Sequence, residues 1–129
     1  ELIRRARERD IFTVAWAMNP EEAARMAAAG ADVVGAMIGV TGGGMSGACS
    51  VTPLEKAVLQ VQAMVEAAKR ESPEVMVLTH GGPFADVETA QYSIIHTDAV
   101  GYAAGSSGER IPTENAVVDA AKAFKSMHF

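Results

Sequence analysis

Residues 101–114 read GYAAGSSGERIPTE. Small apolar residues stop at Gly105-Ser106-Ser107-Gly108, and a helical run restarts near Pro112, so the stretch is a strand, a glycine turn and a helix. Parallel α/β folds carry their chemistry where strands end at their C-terminal side. This end delivers two hydroxyls, a series of backbone N–H groups and the charged pair Glu109 and Arg110. Gly105 and Gly108 let a ligand approach the backbone, and N–H groups at a helix start favour an anion. The same residues also suit an ordinary strand-to-helix turn capped by serines.

Working back from this stretch, three similar units precede it. Leu2–Arg9, with four arginines, reads as a solvated helix. Ile11–Met18 is β-branched and aromatic enough for a buried strand. Asn19-Pro20-Glu21-Glu22 opens a helix, with Asn19 as its cap and Pro20 in its first position, and Gly30 ends it. Val33–Ile38 is the second strand, followed by a glycine-rich connection from Gly39 to Val51. Thr52-Pro53-Leu54-Glu55 has capping-box spacing and opens a long helix to Arg70 with Leu54, Val58, Val61 and Val65 on one stripe. Val75–Thr79 is the third strand, and Asp86 caps a helix whose apolar side holds Val87, Ala90, Ile94 and Tyr92. Ala99–Ala104 is the fourth strand, and the final helix, Pro112 to about Lys125, turns Val117, Ala121 and Phe124 inward. Four βα units with continuous apolar strands predict a parallel sheet, in sequential order and covered on both faces. That pattern fits a small doubly wound sheet, a half-barrel that dimerises, or part of a closed eight-stranded barrel, which takes about 250 residues.

Composition narrows the function classes. The 129 residues are 49% hydrophobic and 21% charged, which describes a globular domain with a real core. A formal charge of −5 argues against a nucleic-acid partner. The lone Cys49 suits a reducing, cytoplasmic setting. No apolar run reaches the roughly 20 residues of a membrane span. The opening ELIRRARERD is neither a signal peptide nor an initiator sequence, and reads as the inside of a helix from a larger protein.

Five strings sharpen the reading: FTVAWAMNPEEA at 12–23, AAGADVVGAMIGVTGGG at 28–44, VLTHGGP at 77–83, AQY at 90–92 and GSSGERIPTE at 105–114. In this order they resemble the C-terminal half of the phosphoenolpyruvate hydrolase-like TIM-barrel family, also known as TIM-barrel signal-transduction proteins. The resemblance implies a (β/α)8 barrel distantly like the phosphoenolpyruvate mutase and isocitrate lyase group, with these units as the fifth to eighth. Residues 1–129 would then be a single α/β unit, part of a larger barrel. In the mutase and lyase group much of the metal binding and catalysis lies on the earlier strands. No cofactor is evident in this half, and any Mg²⁺ would lean on carboxylates from the missing half.

In a barrel the loops after the strands share one rim. They hold Asn19, Thr41 with Gly42–Gly44, His80 with Gly81 and Gly82, and Gly105, Ser106, Ser107 and Arg110. Hydroxyls and N–H groups after strands seven and eight are a frequent phosphate site in barrels. Gly81, Gly82, Gly105, Ser106 and Ser107 are therefore assigned to anion binding, with Arg110, Asn19 and Thr41 as further substrate contacts. His80 is the proton-transfer candidate, because imidazole titrates near neutrality; holding the loop by a hydrogen bond is its bland alternative. Arg110 either grips a carboxylate or bridges Glu109 or Glu114 structurally. Gly42–Gly47 looks like a mobile lid or a plain connection, and is no P-loop, since no GK[ST] follows. Cys49 lacks a histidine at nucleophile spacing, His96 and His128 fall at helix ends, and no zinc-type spacing occurs. Met18, Met26, Met37, Met64 and Met76 read as core filler.

Two functional readings result. One is an enzyme, a hydrolase or lyase, that binds a small phosphorylated or α-keto carboxylate and cleaves or hydrolyses it with help from His80. The other is a non-catalytic barrel module for ligand sensing, signal transduction or protein interaction. The expected partners are a small anionic metabolite and either a second copy or the missing half-barrel, with neither nucleic acid nor membrane.

Overall fold

The computed structural model describes residues 1–128. Four strands, β1 (Val14–Ala17), β2 (Val33–Met37), β3 (Met76–His80) and β4 (Gly101–Tyr102), form one parallel sheet in the order β1-β2-β3-β4. The helices are α1 (Leu2–Arg7), α2 (Pro20–Ala28), α3 (Leu54–Glu71), α4 (Val87–Ile95) and α5 (Arg110–Lys125). The four-unit α/β reading is therefore what the chain adopts. Strand limits differ: β1 begins at Val14 rather than Ile11, and β4 pairs over Gly101 and Tyr102 rather than 99–104. An edge strand with a neighbour on one side keeps only the ladder that its partner reaches.

Local chemistry accounts for most helix ends. Asn19 accepts a hydrogen bond from the Glu22 N–H at 2.9 Å, and Pro20 follows in the first helical position. Gly30 takes φ +93° just beyond α2, a conformation closed to most side chains. Asp86 and Thr89 form a reciprocal capping box on α4, a device whose loss typically costs about 1 kcal/mol. Thr52 does not make the expected box. Pro53 occupies the cap position of α3 and no side chain caps it, because Thr52 lies one residue outside the helix. The last helix starts at Arg110, two residues before Pro112; proline is tolerated there because first-turn N–H groups have no intrahelical acceptor.

Strand alternation sorts the sheet into two faces. Ala15, Ala17, Val34, Ala36, Val77, Thr79 and Tyr102 face the helices. There Ala23 and Ala27 of α2, and Ala57, Val58, Val61, Met64, Val65 and Ala68 of α3, complete the core. Alanines at these spacings let α2 and α3 sit close to one another and to the sheet. Thr79 and Ser93, both fully buried, satisfy each other across β3 and α4 at 2.9 Å.

The opposite face is open, which corrects the expectation of a sheet covered on both sides. Val14, Trp16 and Met76 there keep more than 40% exposure, because among the described residues every helix packed on the sheet lies on its other side. Met76 and Met18 are accordingly exposed, and of the five methionines read as core filler only Met64 is fully buried. Helix α5 also departs from expectation. Val117 and Phe124 are 63% and 70% exposed and no residue of α5 is buried, because the short β4 gives this helix no sheet surface to lie on. Val87 is 82% exposed, since α4 turns Ala90 and Ser93 inward instead.

At the N-terminal edge of the sheet Asp32 staples β1 to β2. Its Oδ2 accepts from the Thr13 N–H at 2.7 Å and from the Thr13 hydroxyl at 3.1 Å. These bonds, the backbone one foremost, hold its carboxyl below the usual 3.8, with Arg7 adding a small favourable field. A depressed folded pKa contributes stability that is complete above the unfolded value and lost as pH falls through the folded one. Asp32→Ala should therefore lower the thermal midpoint at pH 7, and the gap from wild type should shrink below about pH 3.8. Thermal melts over pH 2.5–7, monitored by circular dichroism, check this; a gap that persists at the acid end would contradict it.

Candidate functional site on the C-terminal rim

All four strand-following loops emerge at one edge of the sheet, as the parallel order requires. His80 is the last residue of β3, paired in register with Met37 and on the open face. Its Nδ1 lies 2.7 Å from the Ala103 carbonyl, which can only accept, so Nδ1 carries the proton and donates. In the neutral ring Nε2 then holds the free lone pair. The imidazole lies against the Trp16 indole, with ring centroids 4.5 Å apart and planes tilted by 47°. A Cβ on Gly105 would stand 3.1 Å from His80 Cε1 and 3.9 Å from Nε2, so the bare glycine backbone passes close along that edge of the ring.

The turn after β4 brings Ser106 and Ser107 to the same rim as His80. Ser107 donates to the Tyr102 hydroxyl oxygen, and Tyr102 in turn donates to the Phe84 carbonyl at 2.7 Å. Ser106 accepts the Ile111 N–H on its carbonyl at 2.9 Å; its hydroxyl has no hydrogen-bond partner among the described residues. The N–H groups of Gly108 and Glu109 are taken by the Gly105 carbonyl. The N–H groups of Gly105, Ser106 and Ser107 have no protein acceptor among the described residues.

Gly81 and Gly82 take φ +71° and +57° and are buried. A Cβ on Gly81 would stand 2.3 Å from the Gly39 carbonyl oxygen, and the Gly82 N–H donates to that same oxygen at 3.0 Å. Their lack of side chains thus seats the loop after β3 against the loop after β2. Gly42 N–H donates back to the Gly82 carbonyl at 3.0 Å, with the buried Thr41 just before it. Asn19 also lies on this edge, with its side-chain oxygen engaged at the start of α2.

Arg110 bridges Glu114, at 3.1 Å, and donates to the Gly43 carbonyl at 3.1 Å. Glu114 in turn accepts from the Met45 N–H at 2.6 Å and the Ser46 hydroxyl at 3.0 Å. The segment read as a lid is thereby latched to α5. The loops after β2, β3 and β4 are each fastened to the other two, and the Trp16–His80 contact ties β1 to them.

Trp16 was not singled out from sequence. Its signal was its position: a large ring in β1 in register with Gly35 of β2, a pairing that only strand alignment reveals. A cavity of about 860 Å³ opens elsewhere, between α4 and α5 on the helix side, lined by Ile94, Tyr102, Ile111 and others. It exists because α5 stands off the sheet, and it does not include His80. Among the described residues no three His, Cys, Asp or Glu side chains gather to hold a metal ion. Cys49 is a free, exposed thiol. No helix is long and apolar enough to cross a membrane among the described residues.

The Met45 N–H, ahead of Arg110 and Ser46, holds the Glu114 carboxyl below the usual 4.5. The latch is therefore complete above that pH and weakens as pH falls through the lowered folded value. The Met45 amide proton should titrate with Glu114, at a midpoint below 4.5, and lose that titration in Glu114→Gln. Two-dimensional amide spectra measure it; a Met45 signal indifferent to pH would refute the latch.

Comparison with known proteins fits this geometry. Residues 1–127 match the model of the family described as phosphoenolpyruvate hydrolase-like. Among curated relatives, the tomato (Solanum lycopersicum) ToMV susceptible protein tm-1(GCR26) and ToMV resistance protein Tm-1(GCR237) are each 39% identical over 128 residues. A Sinorhizobium fredii protein, y4pA, provisionally named a transcriptional regulatory protein, is 27% identical over 127 residues. Each alignment takes in 98% of this chain but only 17% of either tomato protein and 21% of the bacterial one. The chain thus spans about a fifth or less of the length of these relatives. With a family match over nearly its whole length and the four parallel units that the match implies, the chain belongs to the phosphoenolpyruvate hydrolase-like family.

Proposed function

We propose that this chain supplies strands five to eight of a (β/α)8 barrel whose rim binds a small phosphorylated or α-keto carboxylate, and that His80 transfers protons during its cleavage or hydrolysis. The observation that carries the reading is the His80 ring: Nδ1 is committed to Ala103 and Nε2 has no protein partner among the described residues. A histidine held in one tautomer with its second nitrogen open is prepared to take or return a proton. In hydrolysis of a phosphate ester, water's oxygen bonds to phosphorus as the ester P–O bond breaks. The proton that water loses can pass through Nε2 to the leaving group.

The anion would rest against Ser106 and Ser107, whose N–H groups and one hydroxyl have no acceptor or partner among the described residues, beside Gly105. Gly81 and Gly82 shape the adjoining loop, and Thr41 and Asn19 border it. Arg110 contributes positive charge while anchored to Glu114. The open sheet face with Val14, Trp16 and Met76 supports association with the missing half-barrel, or with a second copy where that half is lacking. A cytoplasmic site of action belongs to the same reading and rests on the single cysteine.

Two observations favour the second reading, a non-catalytic module for ligand sensing or protein interaction. No titratable side chain hydrogen-bonds to His80 among the described residues, and the tomato relatives carry names for virus susceptibility and resistance.

Phosphate release and calorimetric titration with phosphoenolpyruvate, on the full-length protein, separate the two. His80→Asn should reduce kcat by about 100-fold, within the range of lost acid–base catalysis, with KM changed by less than about threefold. Ser106→Ala should weaken phosphoenolpyruvate binding by about 1 kcal/mol, as for one lost hydrogen bond to a charged group. Wild-type binding without phosphate release, unaltered by His80→Asn, would establish the sensing reading instead; absence of both binding and phosphate release would remove phosphoenolpyruvate hydrolysis from the proposal.

A further inference from the structure

We infer that Trp16 is a positioning residue for His80: its indole, seated where Gly35 has no side chain, holds the imidazole so that Nε2 faces the open side of the sheet. The inference rests on the proton-transfer role proposed for His80. It begins with the register that places Trp16 beside Gly35, Gly35 beside Leu78, and Leu78 beside Gly101 across the four strands. Large and glycine positions alternate along this row. A Cβ on Gly35 would fall 2.3 Å from Trp16 Cε3 and 2.4 Å from Cζ3, so the ring lies directly on the β2 backbone. A Cβ on Gly101 would likewise meet Leu78 Cδ2 at 3.1 Å. Each large side chain leans onto its neighbour's glycine, and this fixes the direction in which the indole lies.

That direction is toward His80. One hydrogen bond from Nδ1 fixes a point of the imidazole but leaves the ring free to swing about it. The indole, in ring contact at 4.5 Å, removes that freedom on one side, while the backbone at Gly105 lies against the Cε1 edge. Packing the sheet is an insufficient account of Trp16. The residue keeps 44% of its surface exposed and is absent from the core cluster on the helix side, whereas its ring is in contact with the one rim side chain suited to proton transfer. Restricting a catalytic group to its productive orientation is a recognised source of rate, and small misplacements are costly.

The test uses the full-length protein labelled with ¹⁵N-histidine, with His80→Asn assigning the His80 ring signals. Wild type should show a single tautomer protonated at Nδ1. Trp16→Leu should give averaged ring nitrogen shifts and lower kcat for phosphoenolpyruvate hydrolysis by about tenfold, with KM within about twofold. Trp16→Phe, which keeps an aromatic face, should recover most of both. If Trp16→Leu does not fold, Gly35→Ala replaces it, because it keeps the indole but removes its seat. Ring signals and kcat that match wild type in a folded Trp16→Leu or Gly35→Ala variant would overturn the inference, whatever the change in thermal midpoint. If wild type hydrolyses nothing, the proton-transfer reading fails by itself. The ring signals then still decide whether Trp16 orients His80.

Discussion

Parallel pairing is the constraint from which the rest of this structure follows. Neighbouring parallel strands cannot be joined by a tight turn, so each is reached through a crossover, and here the crossovers carry α2, α3 and α4 to one side of the sheet. That side closes into a core of alanines, valines and Met64. The other side is left with larger side chains and glycines in register. The same pairing brings every strand-following loop to one edge, which is why residues as distant in sequence as Trp16, His80 and Gly105 come together there.

At that edge the loops hold one another before they hold anything else. Gly39, Gly42 and Gly82 exchange backbone hydrogen bonds, Tyr102 joins Phe84 to Ser107, and Arg110 with Glu114 fastens Gly43, Met45 and Ser46. Few of these contacts use the hydrophobic effect; they are directional bonds between loops that have little core of their own. Each loop is thereby bonded to two neighbours. Among the rim groups that have no hydrogen-bond partner among the described residues are His80 Nε2, the Ser106 hydroxyl and the N–H groups of Ser106 and Ser107.

Much of the architecture could be read from the chain because local chemistry repeats in each unit. Asn19-Pro20, Gly30 and Asp86 with Thr89 mark helix ends by their own hydrogen bonds and backbone conformations. The readings that went astray depended on what lies beside a residue in space. Val117 and Phe124 follow helical spacing, but spacing does not say whether a surface exists to receive them. Trp16 is an ordinary strand residue until register sets it against Gly35. Glycines at 81 and 82 mark a loop after a strand, but that their missing side chains seat it against the Gly39 and Ile38 carbonyls shows only in space. His80 and Ser106 on a shared edge followed from strand direction, the most robust feature of a parallel sheet.

The seat of Trp16 also has an optical consequence. It is the only tryptophan among the 129 residues, so the chain's indole emission arises from one ring lying on the β2 backbone and in contact with an imidazole. A spectrum that in most proteins averages over several buried environments here comes from one point on the rim. Whatever occupies or empties the open side of this sheet will change the solvent around that ring, and the colour and yield of its light will follow.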